Sequence, residues 1–470
     1  MRPKVNCQPE FNLHPSNLKL TNEYYENYER ASRVLDENPE IVDLVHRDLK
    51  HALESASSDD GNGAKFKYTS DTVLRILMCQ IIEGRSLRDI VIRIDDGPCL
   101  RQFVRIYSGP MMDFTTLCKL KNCISSETWK KVNDALARYA VVESLIEGER
   151  LRMDTTVVET NIHYPTDSSL LWDTYRVMSR LIEEAREIDP AIVGDRRLQT
   201  RKAKRLYTKI ARKASKKPGS QQAIKPHYER LIELTTNICE WGNEVQHKLE
   251  RGCHQGRYSA VEREIVAVIA NEIAHYHHLG LHVIDQAARR VLDGQQVPNE
   301  EKVVSIFEPH TELLRRGKAA KPNEFGHMVH IQQVEEKFIT AYEVFAKKPI
   351  EYELLQTALD NHKELFGQYP DSVATDKGYY ESMAVIEQLE QQINVVSIAK
   401  KGRRTKEEAL RESDPEFCIA QRFRAGVEGS ISYLKRILGL FRCFNKGWEH
   451  YTATIGAAIF THNVLILTRI

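Results

Sequence analysis

The sequence lacks several features that would place it in a class at once. Its nine cysteines are scattered and form no CxxC pair, so neither a cysteine-rich zinc site nor a disulfide framework is indicated. No basic start followed by an apolar run marks a signal peptide. The apolar stretch 455–467 is interrupted by His462 and Asn463, which favours a buried terminal helix over a membrane span. These absences predict a cytoplasmic protein with no membrane partner.

An excess of charge of one sign is also missing. The net charge is only +1, so the whole-molecule balance carries no information about nucleic acid. Residues 195–217 nevertheless hold eleven Lys or Arg against one acid, most densely over 201–217. Two interpretations stay open for this run, a solvated helix face and a surface that follows phosphates. The second makes candidate DNA contacts of Arg201, Lys202, Lys204 and Arg205.

The chain length of 470 residues allows two or three domains. Residues 1–65 are polar and weakly patterned and end in a predicted linker at 55–63. Residues 66–150 predict a compact helical domain, in which Ser86 begins one helix and Thr115 or Thr116 caps another that contains Lys119 and Lys121. Such a domain suits DNA binding.

The pattern changes at residue 151, where β-branched and apolar residues predict a strand over 151–158. Residues 167–302 are helical by pattern. The remaining predicted elements are a hairpin of 327–331 with 338–345, strands at 372–376 and 394–398, and helices at 350–366, 379–391 and 418–438, followed by a closing helix. Without 167–302, the order is strand, strand, strand, helix, strand, helix, strand, helix. That order predicts an RNase H-like α/β domain over 151–166 plus 303–470, with 167–302 as a helical insertion.

Two acids stand where strands rarely carry them. Asp154 lies inside an apolar strand and Asp376 ends another. The carboxyl ends of strands are where open α/β sheets place their sites. Carboxylates that meet there can bind two divalent ions, which stabilise both oxygens of a phosphodiester displacement. Oxygen ligands suit magnesium or manganese.

The helix around Glu428 offers a third acid. Val427, Ile431, Leu434 and Leu438 form its core face. Arg424, Glu428 and Lys435 lie within about 60° of one another beside that face. Taken alone, this set is more often a surface ion pair than a site. Together with Asp154 and Asp376, in this order of elements, it indicates a shared site.

These residues resemble a known family. The segment 422–436, continuing to 439–442, resembles the C-terminal signature Y-x2-R-x3-E-x6-K of bacterial insertion-sequence transposases with a DDE domain, with the ISNCY-like group as the nearest. Arg424, Glu428 and Lys435 match the signature, whereas Gln421 stands at the Tyr position. Similar segments of the family correspond to 84–90, 113–117, 154–162, 318–331 and 374–380.

The resemblance implies an activity and roles for individual residues. Asp154, Asp376 and Glu428 would hold two magnesium ions, with manganese as a possible substitute. Lys435 and Arg436 would join Arg424 in contacting phosphates near the cut. The enzyme would hydrolyse transposon ends to free a 3′-hydroxyl, which attacks target DNA without a covalent protein intermediate. The implied partners are double-stranded DNA and a second copy of the chain, at the bacterial nucleoid.

Two other hypotheses remain open. The chain could be a domesticated DNA-binding protein with an inactive nuclease domain, although all three carboxylates are present. It could also be a helical scaffold in which the acids are structural. The scaffold hypothesis predicts that Asp154, Asp376 and Glu428 do not come together.

Overall fold

The computed structural model describes residues 16–56, 68–213, 220–315 and 322–470. The chain divides into two compact units, 1–161 with 326–470, and 162–325. The second unit extends beyond the predicted insertion at both ends. From residue 57 onward the predicted linker lies outside the described residues, as do 214–217 of the basic run and 318–321 of one family-like segment.

The first unit begins with a series of helices, of which the first two lie where the sequence indicated a polar segment. They are α1 (Lys19–Asp36), α2 (Pro39–Ala56), α3 (Ser70–Ile82), α4 (Leu87–Asp96), α5 (Pro98–Phe103), α6 (Phe114–Asn122) and α7 (Ser126–Val142). The prediction of a weakly patterned segment was wrong for α1 and α2, which bury Leu35 and Leu49 in the core. Their apolar stripes are narrow, and the charged outer faces make each segment polar on average.

The caps of two helices test the predicted helix starts. Ser86 caps α4 as predicted, since its side chain accepts a hydrogen bond from the Asp89 N–H. The start of α6 differs, because Asp113 and not a threonine is its cap. Asp113 accepts a hydrogen bond from the Thr115 N–H at 2.8 Å.

The strands of the described residues are β1 (Arg150–Thr160), β2 (Glu312–Arg315), β3 (Asn323–Gln333), β4 (Ile339–Val344), β5 (Ser372–Ala374), β6 (Val395–Ser397) and β7 (Arg442–Cys443). In the first unit β1 pairs antiparallel with β3, which pairs antiparallel with β4. On its other side β1 pairs in parallel with β5, and β5 with β6. β7 adds a short parallel pairing at Glu159 and Thr160. The predicted first strand and hairpin are confirmed.

The helices of the second unit come next along the chain. They are α8 (Asp167–Ile188), α9 (Pro190–Val193), α10 (Thr200–Lys213), α11 (Ser220–His254) and α12 (Ala260–Ala287), which continues into a π-helical turn at Ala288–Leu292. They enclose a core of their own that includes Leu171, Met178, Leu231 and Ile273. The prediction of helical structure over this part of the chain is therefore confirmed.

The rest of the first unit alternates helices with the short strands. Its helices are α13 (Leu354–Phe366), α14 (Met383–Glu390), α15 (Lys406–Glu412), α16 (Pro415–Arg436) and α17 (Trp448–Leu467). The sequence predicted a strand that ends at Asp376. β5 ends at Ala374, so Asp376 lies two residues beyond it. No described helix is long and apolar enough to cross a membrane.

The sheet of the first unit is covered on both faces. Leu151 and Met153 of β1 share one hydrophobic core with α1 to α7. Val158 lies five residues after Met153, an odd number, so it packs on the opposite face, with Leu434 of α16 and Ile455 of α17. The helices predicted as a separate domain over 66–150 therefore contribute to the same core as the sheet.

Candidate active site

Asp154 occupies the middle of β1 and is 9% exposed. Its Oδ1 accepts a hydrogen bond from the Thr155 N–H at 2.7 Å. Strand alternation turns Arg152 and Asp154 toward α16, because Leu151 and Met153 fill the core on the other face. A carboxylate so far removed from water is costly unless hydrogen bonds or a cation compensate it.

The cation comes from α16. This helix begins at Pro415, capped by Asp414, whose side chain accepts a hydrogen bond from the Glu416 N–H at 2.8 Å. Val427 and Leu434 are buried, as the sequence predicted for the core face. The helix is thereby rotated so that its Arg424 edge lies beside β1.

Arg424 connects two of the predicted acids. Its Nη2 lies 2.9 Å from Glu428 Oε1 and 4.0 Å from Asp154 Oδ2. The Glu428 side chain is 67% exposed, whereas that of Arg424 is only 17% exposed. One guanidinium thus stands between a buried carboxylate on the sheet and a solvent-facing carboxylate on the helix. Asp154 and Glu428 therefore both lie beside one guanidinium, and the scaffold hypothesis stays open because it concerns all three acids.

Asp376 follows β5, the strand that pairs in parallel with β1. The parallel pairing of β1 with β5 ends at Arg152 with Ala374. Asp154 and Asp376 each follow this last pair by two residues, and neighbouring strands are roughly 5 Å apart where they pair. The Asp376 Oδ1 accepts the Gly378 N–H at 2.9 Å and caps the 3-10 turn Lys377–Tyr379.

A fourth carboxylate, Glu351, touches the residues that follow two of the predicted acids. The Thr155 hydroxyl donates to Glu351 Oε1 at 2.7 Å. A β-carbon on Gly378 would collide with Glu351 Oε2 and stand 3.0 Å from Asp376 Oδ1. A larger residue at 378 would therefore require the Glu351 carboxylate to move. Sequence reasoning missed Glu351, because it lies in a 3-10 turn before α13 and no spacing relates it to the strands.

Gln421 takes the Tyr position of the signature and lies one turn before Arg424. Its Nε2 approaches the Thr375 carbonyl at 3.1 Å, the Ser397 carbonyl at 2.6 Å and the Ser397 Oγ at 3.1 Å. Thr375 follows β5 and Ser397 ends β6. The Gln421 amide therefore joins α16 to the ends of two parallel strands.

Arg152 lies behind α16 on the same face of β1. It is 5% exposed, donates from Nη1 to the Phe423 carbonyl at 2.6 Å, and stacks on the Phe423 ring at 4.4 Å. Burial lowers the pKa of Arg152 to about 10, so the guanidinium stays charged at neutral pH. Gly426 makes room for it, since a β-carbon there would collide with Nη1.

The other predicted phosphate contacts of α16 lie in its last turn. Lys435 is half-buried and Arg436 is exposed. Lys435 is seven residues beyond Glu428, about 10 Å along the helix on nearly the same edge. The structure therefore keeps Lys435 on the Arg424 and Glu428 edge, two turns beyond Glu428 and three turns beyond Arg424.

The predicted basic residues of the second unit lie on α10. Arg201, Lys202, Lys204 and Arg205 are all exposed, while Ala203 and Ile210 face the core of that unit. The helix sequence, TRKAKRLYTKIARK, contains no acid. Its outer face is accordingly cationic.

A divalent cation would find only part of a ligand set in the described residues. Within 16–56, 68–213, 220–315 and 322–470, no three His, Cys, Asp or Glu side chains are grouped closely enough to hold a metal ion. The donor chemistry still fits magnesium or manganese, because Asp154, Asp376 and Glu428 offer only oxygen. In this structure the cation beside Asp154 and Glu428 is the Arg424 guanidinium.

Comparison with known proteins adds independent information. Residues 287–464 match the family model described as the transposase DDE domain. No curated protein and no solved structure matches the chain. The match includes Asp376, Arg424 and Glu428, whereas Asp154 precedes it, and the ISNCY-like subgroup stays a prediction. The resemblance to DDE-domain transposases read from the signature is thus confirmed over residues 287–464.

Proposed function

We propose that the protein is an active DNA transposase that hydrolyses the ends of its element and joins the freed 3′-hydroxyls to target DNA. The observation that supports this most directly is the contact of Arg424 with both Asp154 and Glu428. Asp376, which follows the neighbouring strand β5 by two residues, is proposed to complete the set. A solvated surface ion pair would not require a buried strand carboxylate as its neighbour.

The proposed catalytic domain is RNase H-like, over 151–166 and 303–470, with 167–302 as its helical insertion. Its support is the sequence of elements β1, β3, β4, α13, β5, α14, β6, α15 and α16, and a sheet with antiparallel strands on one side of β1 and parallel strands on the other. The helical region 66–150 is proposed to contribute DNA contacts.

Asp154, Asp376 and Glu428 are the proposed ligands of two magnesium ions, with manganese as a substitute. When bound, such ions stabilise the attacking and leaving oxygens of a phosphodiester displacement. The chain's own contribution is to hold the carboxylates with little freedom. The Thr155 N–H fixes Asp154, and the Gly378 N–H fixes Asp376. Glu428 is the most solvent-exposed of the three and approaches the substrate from the helix.

The phosphate-binding residues are proposed on two surfaces. Arg424 can present a planar pair of donors to a phosphate near the cut, while Lys435 and Arg436 supply charge further along α16. In the second unit, Arg201, Lys202, Lys204 and Arg205 form a cationic helix face suited to the DNA backbone. The proposed partners are transposon ends and target DNA, bound by a homodimer at the bacterial nucleoid.

The test is cleavage of labelled end DNA, taken from the sequence that flanks the gene, in the presence of magnesium. We expect the wild-type protein to cut and Glu428→Gln to bind without cutting, with a loss of at least about a hundredfold, because the charge of one ligand is removed. The matched control is Glu416→Gln, an exposed acid in the first turn of the same helix, which should cut like the wild type.

Three results would count against the proposal. Equal cleavage by the wild type and Glu428→Gln would remove Glu428 from the site. Equal loss in Glu428→Gln and Glu416→Gln would point to a damaged helix and not to a lost ligand. Binding without cleavage by the wild type would leave the inactive, domesticated DNA-binding protein as the better description.

A further inference from the structure

Gln421 is tied to the site by contacts that its place in the signature does not explain. A single amide nitrogen approaches three oxygen atoms, two of them backbone carbonyls at the ends of neighbouring parallel strands. The Ser397 carbonyl also accepts the Thr375 N–H at 3.2 Å. Ser397 Oγ in turn donates to the Phe417 carbonyl of α16 at 2.9 Å. These bonds form one closed network in which the strand ends and the helix hold each other.

An amide suits this network better than the phenol of the tyrosine that the signature has at this position. The Gln421 nitrogen has two hydrogens to share among acceptors from two strands. A phenol has one hydrogen and a ring that must be accommodated between helix and sheet. Thr375, which accepts one of these bonds, is fully buried. The departure from the signature therefore replaces an aromatic side chain by a donor fitted to the strand ends.

The network controls the geometry of two predicted ligands. Thr375 directly precedes Asp376, so the backbone that carries this carboxylate is held by Gln421. Glu428 follows Gln421 by seven residues, which is two helical turns less about 20° of rotation. The hydrogen bonds of Gln421 thus fix the position of α16, and with it Glu428, relative to the segment that carries Asp376.

We propose that Gln421 is a positioning residue of the carboxylate site, and that it sets Asp376 relative to Glu428 so that both can bind one divalent cation. This inference rests on the proposed metal-dependent function. Residues that orient metal ligands typically change metal affinity about ten- to a hundredfold when they are removed.

A second tether of α16 provides the matched control. On the other edge of the helix, the Ser430 Oγ accepts a hydrogen bond from Gln333 Nε2 of β3 at 2.9 Å. Ser430 is buried and is not bonded to the segment that carries Asp376. Its replacement loosens the same helix without touching the strand ends near that acid.

The experiment is calorimetric titration of Mn²⁺ into the full-length protein, comparing the wild type with Gln421→Met, Gln421→Tyr and Ser430→Ala. We expect both Gln421 variants to raise the dissociation constant at least about tenfold, and Ser430→Ala to stay within about twofold of the wild type. Gln421→Met keeps the length of the side chain and removes its donors. Gln421→Tyr restores the signature residue and serves as the second variant if the methionine variant does not fold.

The outcomes separate this inference from the function on which it rests. Unchanged Mn²⁺ affinity in a folded Gln421 variant overturns the inference alone. An equal loss of affinity in Ser430→Ala also overturns it, because any loosening of α16 would then have the same effect. If the wild type takes up no Mn²⁺, the proposed metal-dependent function fails first and the inference fails with it.

Discussion

At the scale of single residues, Arg424 shows which contacts a sequence can predict. Its pairing with Glu428 follows from their i,i+4 spacing on a helix. Its approach to Asp154 depends on how α16 is rotated against β1, and only the buried Val427 and Leu434 hinted at that rotation. The contacts of Thr155, Glu351 and Gly378 join separate segments, so no local pattern could have predicted them.

Two glycines of α16 give a residue-scale prediction with a built-in control. Alanine is favoured over glycine in helices by up to about 1 kcal/mol. At Gly429 nothing lies within 4 Å of a new β-carbon, so Gly429→Ala should stabilise the protein by roughly 0.5–1 kcal/mol. At Gly426 the β-carbon would meet the buried Arg152 guanidinium, so Gly426→Ala should destabilise it by about 1–3 kcal/mol.

The measurement is the free energy of unfolding from urea titrations of both variants beside the wild type. Opposite signs for the two substitutions are expected, although both place the same residue in the same helix. Stabilisation by both would mean that Arg152 moves aside freely and does not hold α16 to β1.

At the scale of elements, it was easier to predict whether a segment is a helix or a strand than to predict the residues at which it begins and ends. β1 and α16 were found with small errors because their apolar patterns are strong. The helix predicted from residue 379 begins at Met383, since Ser382 caps it and Asp376 caps a separate 3-10 turn before it. α1 and α2 were missed, because charged residues on their exposed faces hide narrow apolar stripes.

The basic helix α10 leads to a prediction about DNA binding. If its outer face follows phosphates, the double reversal Arg201→Glu with Lys204→Glu should weaken DNA binding and flatten the dependence of the binding constant on salt concentration. Each phosphate contact that is lost lowers the slope by about 0.9. The control reverses two exposed arginines of the same unit, Arg251 and Arg263. Equal slopes for both double variants and the wild type would return α10 to the solvated-face interpretation.

At the scale of the whole molecule, the order of strands and helices could be predicted but their sharing of cores could not. The sequence indicated a separate helical domain over 66–150, whereas α1 to α7 pack with Leu151 and Met153 of the sheet. Apolar stripes show that a helix has a buried face without identifying what covers it. The matched family range likewise begins at residue 287, after most of the helical unit that separates Asp154 from the other acids.

The buried histidines of the first unit make global stability depend on pH. Burial lowers the pKa of His330, His362 and His462 to about 4 each. Unfolding would return them to about 6.5. Above pH 6.5 both states are neutral and the histidines have no effect. As the pH falls from 6.5 toward 4, the unfolded state binds protons that the folded state does not bind, so the free energy of unfolding falls.

At pH 5 each of these histidines should cost about 2 kcal/mol relative to pH 7. His330 is suitable for the test, because its Nε2 is buried and has no hydrogen-bond partner among the described residues. We expect His330→Gln to reduce the loss of unfolding free energy between pH 7 and pH 5, measured by urea titration. The exposed His51→Gln is the control and should retain the wild-type loss. An unchanged loss in His330→Gln would mean that this imidazole is protonated in the folded protein, and that the interface of β3 with Tyr379 admits water.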